Sequence, residues 1–165
     1  MSALFYTLID DSPVGPLLLA GDRDALHLLS FAVGTRPRTI DRSWIPDTKG
    51  VLARVRRELD EYFAGRLKRF TVDVTFNGTA FQNSVWSELR RIPYGETISY
   101  LDLANRIGNP KAVRAVGLAN GANPIAIVVP CHRVIGSNGS LTGFGGGLPT
   151  KRALLELEKG QRTLL

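Results

Sequence analysis

Between Asn123 and Gly147 the chain runs through five apolar residues, Ile125 to Val129, then Pro130-Cys131-His132-Arg133, then a glycine-rich segment ending in Gly145-Gly146-Gly147. No other stretch limits the fold as much. The apolar run has to be buried. Pro130 restricts the backbone just before the cysteine, and the glycines after it read as a loop. One reactive group is thereby presented at the end of a rigid element. Cys131 is the only cysteine and His132 one of two histidines. A lone cysteine usually behaves as a small buried hydrophobe. A neighbouring His and Arg favour the thiolate, which is the nucleophile, and tip the balance toward a reactive thiol.

A single cysteine allows no internal disulfide, so the fold rests on its apolar residues, 44% of 165. That length suits one or two small domains. The free thiol fits a reducing, cytoplasmic setting. No apolar run is long enough for a membrane span, and no secretion signal is read at the amino terminus. Net charge is +6 and unevenly placed: residues 1–76 hold 11 Lys and Arg against 10 Asp and Glu, residues 77–165 hold 10 against 5. The basic excess lies in the half with Cys131 and suits a polyanion such as DNA, although solubility alone would also account for it.

The first half reads as an antiparallel meander of Leu4–Ile9, Leu17–Ala20 and Ala25–Phe31, with turns at Ser12–Pro16 and Gly21-Asp22. His27, in the third strand, reads as a packed or surface histidine. Residues 34–50, with two prolines and two glycines, read as a loop. Val51–Ala64 has the spacing of an amphipathic helix, stopped by Gly65. Phe70, Val72, Val74 and Phe76 alternate as in a further strand. Asn77-Gly78 then marks a boundary, so the chain divides into an α+β domain, 1–76, and a second domain, 77–165.

The second domain opens with a helix capped by Thr79 and striped by Phe81, Val85, Trp86 and Leu89. Ser99 or Thr97 caps the next, which Gly108-Asn109 breaks. A third is predicted from Pro110, with Asn109 as cap, to Asn120-Gly121. Two short helices joined by a tight turn match a helix-turn-helix, and also an ordinary helical hairpin. Small residues on the second helix (Ala112, Ala115, Gly117) permit close approach to a surface, and Lys111 and Arg114 add charge. Few side chains there could read bases. The last helix is Leu148–Glu158. Glu158 lies one turn beyond Leu154 and Leu155, where a carboxylate needs a partner unless it is exposed at the helix end.

Pro130-Cys131-His132-Arg133-Val134-Ile135 resembles the active-site signature of the O6-alkylguanine-DNA alkyltransferases, also called methylated-DNA–protein-cysteine methyltransferases. The similarity extends from about Gly78 to Glu158 and is looser before that. It implies a ribonuclease-H-like first domain without catalytic duty and a mostly helical, winged-helix-like second domain containing the helix-turn-helix. It also implies an activity: single, irreversible transfer of an alkyl group from O6-alkylguanine, and from O4-alkylthymine, in double-stranded DNA to the protein's own Cys131. No cofactor or metal is implied, and a monomer is expected in the free state.

The resemblance further implies roles. His132 is the base, acting through a bridging water, and Glu158 orients it. The Tyr100 hydroxyl serves the departing guanine. Arg114 replaces the extruded nucleotide in the base stack, on a helix laid in the minor groove with Lys111, Ala112, Ala115 and Gly117. Asn123 ties the helix-turn-helix to the site. Backbone around Cys131 and Val134, with Phe144, Gly145 and Gly146 in the following loop, surrounds the base. A structural tyrosine and a phosphate-binding arginine are the plainer readings of Tyr100 and Arg114. Phe144 stands where a tyrosine is common and Gly145 where some relatives have serine, which leaves room for larger alkyl groups. A cysteine-bearing zinc site of relatives has no counterpart in the first domain. The alternatives are a non-catalytic binder of alkylated DNA, which Cys131 argues against, and a cysteine hydrolase, for which adjacent nucleophile and base would be unusual.

Overall fold

The computed structural model describes residues 3–32 and 38–160. Strands β1 (Phe5–Ile9), β2 (Leu17–Gly21) and β3 (Leu26–Phe31) form the predicted meander, β2 pairing antiparallel with both neighbours. Every residue of β2 is buried, because both faces of the sheet are covered. Leu17 and Leu19 face the main core, while Leu18 and Ala20 join Leu28 in a smaller cluster against Tyr6 and Trp44. Gly21 sits at a register shift where a Cβ would lie 2.6 Å from the Ala25 carbonyl, so the chain can turn back only with glycine there.

Two expectations for the first half need correction. Within the segment read as a loop, part of which (34–37) lies outside the described residues, Ile45–Pro46 forms a short strand, β4, parallel to β1. It is an edge strand, where a proline without an N–H is tolerated. The alternating stretch 70–76 forms no strand; Val74 makes one isolated bridge to Leu26. Its backbone is held from two sides: Leu26 of β3 donates to the Asp73 carbonyl and accepts from the Thr75 N–H at 2.8 and 3.0 Å, and on helix α1 (Ala53–Phe63) the Glu58 carboxylate accepts from the Thr71 and Val72 N–H groups at 2.8 and 3.3 Å. Phe70 and Val72 still reach the core.

In the second half, α2 (Ala80–Leu89) and α3 (Tyr100–Arg106) each begin with a reciprocal capping box, Thr79 with Gln82 and Ser99 with Asp102. Helix α4 (Val113–Gly121) starts three residues later than predicted. Pro110 and Lys111 belong to a turn closed by the Ala112 N–H to Asn109 carbonyl bond, so Ala112, without a side-chain cap, stands at the helix start. Helix α5 spans Leu148–Glu158 as predicted. A two-stranded parallel pair, β5 (Ile98–Ser99) with β6 (Val134–Ile135), ties the start of α3 to the residues just after Cys131.

One apolar core runs through both halves, from Leu17 and Tyr62 to Val129 and Leu157. The joint is made of backbone as well. Leu29 of β3, the strand at one edge of the sheet, donates to the Pro124 carbonyl and accepts from the Ala126 N–H, at 3.0 and 2.9 Å. The apolar run that leads to Cys131 is thus docked on the N-terminal sheet.

Candidate active site

From that anchor the chain reaches Cys131 through two tight turns. The Val128 N–H bonds to the Ala126 carbonyl across Ile127, whose φ is +70°, the only positive φ on a non-glycine among the described residues. A β-branched residue in this region stores strain, and it persists because Ile127 is buried and its neighbours are pinned. Pro130 (φ −82°, ψ 66°) centres the second turn, closed by the Cys131 N–H to Val129 carbonyl bond. Asn123 fastens the segment from the end of α4: its Oδ1 accepts from the Ile125 N–H at 3.0 Å and its Nδ2 donates to the Val129 carbonyl at 2.8 Å. Asn120 adds a longer bond to the Cys131 carbonyl, 3.4 Å.

Cys131 opens a single 3-10 turn, Cys131–Arg133, all of it buried. His132 and Glu158 meet as expected, Nε2 to Oε2 at 2.7 Å. The carboxylate is an acceptor only, so the neutral imidazole carries its proton on Nε2, and Nδ1 is left as the basic nitrogen. Nδ1 is buried and has no hydrogen-bond partner among the described residues. Burial pushes His132 below its ordinary value; Glu158 opposes this, while Arg133 and Lys151 add to it. The resting imidazole is therefore neutral. Burial alone would raise the Glu158 carboxyl, but His132 and Arg133 outweigh it and hold it well below the usual range.

Arg133 corrects the sequence reading, which set it beside the thiol as a cation. It turns away, with Nε and Nη2 on the Glu158 carboxylate at 2.7 and 3.0 Å and Nη1 on the Ile92 carbonyl at 2.7 Å. The cation that favours the Cys131 thiolate is Lys151, absent from the sequence expectations. Lys151 is fully buried, and its Nζ bridges the carbonyls of Val134 and Thr142 at 2.7 and 3.0 Å. Burial pushes the thiol up, with Asn123 and Lys151 pulling against it. The thiolate is thus formed on demand and is not the resting state. Lys151 had one sequence signal: it shares a helix face with Leu154 and Glu158 at 3.6-residue spacing. Tyr62, whose hydroxyl also reaches Glu158 at 2.6 Å, had none, being 96 residues away.

Cys131 opens onto a pocket of about 170 Å³ walled by Asn123, Phe31 and the Gly143–Gly145 loop. Phe144 stands edge-on to Phe31 with ring centres 5.4 Å apart. The space a Cβ on Gly145 would enter is open. Gly146 and Val134 do not line this pocket. Gly146 packs on the Phe31 ring, 2.8 Å from where its Cβ would be, and Val134 is buried with its carbonyl on Lys151. Tyr100 is also outside the pocket lining, its hydroxyl 2.9 Å from Thr142 Oγ1. Gly117 lies under the Tyr100 ring, whose Cδ1 is 3.8 Å from the position a Cβ would take. A larger cleft, about 1120 Å³, lies between the 68–73 segment and Arg90–Tyr94 and contains neither Cys131 nor Asn123. On α4 and the turn before it, Lys111, Arg114 and Ala115 are exposed and Ala112 half-buried. His27, away from the site, pairs with Asp22 at 3.0 Å.

Residues 80–160 match the family model described as 6-O-methylguanine DNA methyltransferase, DNA binding domain, and residues 4–76 match its ribonuclease-like domain. The chain belongs to the methylated-DNA–protein-cysteine methyltransferase family. A member from Methanosarcina acetivorans is 52% identical over 93% of this chain and 97% of its own, and one from Mycobacterium bovis is 54% identical over 92% and 90%. The crystal structure of the Mycobacterium tuberculosis protein OGT in complex with DNA superposes with a TM-score of 0.87 at 52% identity, over 95% of this chain and 94% of that one. The chain is accordingly a DNA-repair methyltransferase of α+β fold, acting by alkyl transfer. No helix among the described residues is long and apolar enough to cross a membrane.

Proposed function

We propose that this protein removes the alkyl group from O6-alkylguanine, and from O4-alkylthymine, in double-stranded DNA by moving it to Cys131 once and irreversibly. The observation that carries this reading is the hydrogen bond from His132 Nε2 to Glu158, which leaves Nδ1 as the only basic atom on that ring. Nδ1 takes the Cys131 proton through a water, and the imidazolium that forms is stabilised by Glu158. The sulfur attacks the alkyl carbon, a C–S bond forms, and the carbon–oxygen bond breaks with its electron pair passing to the base. A proton from the Tyr100 hydroxyl neutralises the departing guanine, and His132 returns its proton to the tyrosinate through solvent. The thioether has no route back to thiol, so each molecule acts once.

DNA lies against α4 with its minor groove toward Ala112, Ala115 and Gly117, Lys111 touches phosphate, and Arg114 fills the gap left by the extruded nucleotide. The exposure of Lys111, Arg114 and Ala115 and the basic excess of residues 77–165 support this. A division at residues 76 and 77 is supported by the two family matches, which fall on either side of it. The test is mass spectrometry after mixing with a duplex bearing O6-methylguanine. One permanent methyl on Cys131 is expected, and none on a Cys131→Ala protein that still binds DNA. Binding with no added mass would leave the non-catalytic reading standing.

A further inference from the structure

The Glu158 carboxylate is met from several parts of the chain. Oε1 accepts from Arg133 Nε at 2.7 Å and the Gly95 N–H at 3.3 Å; Oε2 accepts from His132 Nε2 at 2.7 Å, Arg133 Nη2 at 3.0 Å and the Tyr62 hydroxyl at 2.6 Å. Tyr62 belongs to α1, in the half of the chain matched to the ribonuclease-like domain. Its side chain is fully buried, with its ring centre 5.3 Å from that of Phe70, 5.6 Å from Phe63 and 6.3 Å from Tyr94. Packed in this way, the hydroxyl has a fixed position, and that position is on the oxygen that holds His132. A tyrosine needed only for the core would be satisfied by any acceptor.

We infer that Tyr62 is a positioning residue for alkyl transfer: its hydroxyl, supplied by the N-terminal half, fixes Oε2 of Glu158 and thereby sets the orientation of His132. The inference rests on the proposed reading that His132 takes the Cys131 proton. Burial and the Glu158 charge push the Tyr62 phenol well above its ordinary value, so it donates and does not ionise. The other groups that face these side chains are Tyr94, from the segment after α2, Arg133 of the site turn, and Lys151 of α5. Arg133 and Lys151 oppose protonation of His132, and Glu158 favours it. The Tyr62 hydroxyl draws charge from Oε2 and so weakens the hold of Glu158 on the imidazolium. It also stops the carboxylate from swinging, which keeps Nδ1 aimed at the thiol.

The test is Tyr62→Phe. With two histidines in the chain, the ring signals of His132 can be followed by NMR as pH is changed. Loss of the hydroxyl is expected to move the His132 titration to higher pH and to slow transfer by about three- to thirtyfold through lost alignment, with DNA affinity unchanged. Site-specific 3-fluorotyrosine at 62 keeps the shape and donates more strongly, so it is expected to move His132 to lower pH even if the Phe variant folds poorly. Leu59→Ala, a core truncation on the same helix, is expected to lower Tm without moving the His132 titration. The inference is overturned if both Tyr62 replacements leave the titration and rate at wild-type values while Glu158→Gln alters them, or if Leu59→Ala moves His132 as far as Tyr62→Phe does. If Glu158→Gln also alters neither, the underlying role of His132 fails instead.

Discussion

At Glu158 five hydrogen bonds converge on one carboxylate, so replacing it by glutamine removes more than a charge. The amide would turn an NH2 group toward donors and leave the Arg133 guanidinium buried without its anion. Breaking a buried pair in this way costs about 3–5 kcal/mol. The imidazolium formed when Cys131 ionises would lose its support as well, and transfer is expected to slow by roughly ten- to a thousandfold, with DNA affinity nearly unchanged. Transfer rate and Tm measured on the same preparation separate the two effects: a lower Tm with a wild-type rate would make Glu158 purely structural. The site was legible in sequence where chemistry sits on neighbouring residues, as at Cys131 and His132, or where helix periodicity set a carboxylate beside apolar residues, as at Glu158. The direction of Arg133 was not legible, because adjacency in sequence does not say which way a side chain turns. Val134, buried with its carbonyl accepting from Lys151, and Gly146, half-buried against the Phe31 ring, lie outside the lining of the Cys131 pocket, a placement that sequence spacing does not reveal.

At the scale of elements, turn and cap chemistry set most boundaries. Thr79 and Ser99 cap α2 and α3 with their third residues, and Gly65 follows α1, so these helices could be read locally. The start of α4 could not: Pro110 suits a first helical position and equally a turn, and the bond from the Ala112 N–H to Asn109 closed the turn. Residues 70–76 carried a strand pattern, but they meet β3 at the single residue Leu26, through Asp73 and Thr75, while Glu58 on α1 takes the Thr71 and Val72 N–H groups, so the pairing does not extend into a strand. The late start of α4 places Arg114 in its first turn, exposed at the tip of the element. An arginine that occupies the space of an extruded nucleotide matters only when a nucleotide must be extruded. Arg114→Ala is therefore expected to lose at least about tenfold more activity on duplex DNA than on the free alkylguanine base, a difference of roughly 1.4 kcal/mol in barrier. Equal losses on both substrates, in a direct comparison of transfer rates, would reduce Arg114 to an ordinary phosphate contact.

At the scale of the whole molecule, the shared core means that the site and the N-terminal half stand or fall together, and acidity is the simplest way to probe this. His132 is buried and held below its ordinary value, whereas in the unfolded chain it titrates near 6.5, a value on the order of that for a free histidine. Above that pH neither state binds the proton and His132 has no effect on the balance. As pH falls below about 6.5 the unfolded chain takes up a proton that the folded chain refuses, so stability declines until the lower folded value is reached. Glu158, held far below the usual carboxylate range, contributes stability that is complete above its unfolded value and is lost as pH falls below about 4.5. Acid loss is thus expected in two stages, a shallow one beginning near pH 6.5 and a steeper one below about 4.5. Each unit by which a folded value lies under its unfolded one corresponds to about 1.4 kcal/mol. Calorimetric Tm values from pH 7.5 to 4 on the wild type and on His132→Gln isolate the first stage. The variant is expected to start from a lower Tm and to fall less steeply between pH 6.5 and 5; parallel curves over that interval would mean that His132 is not held neutral in the folded protein.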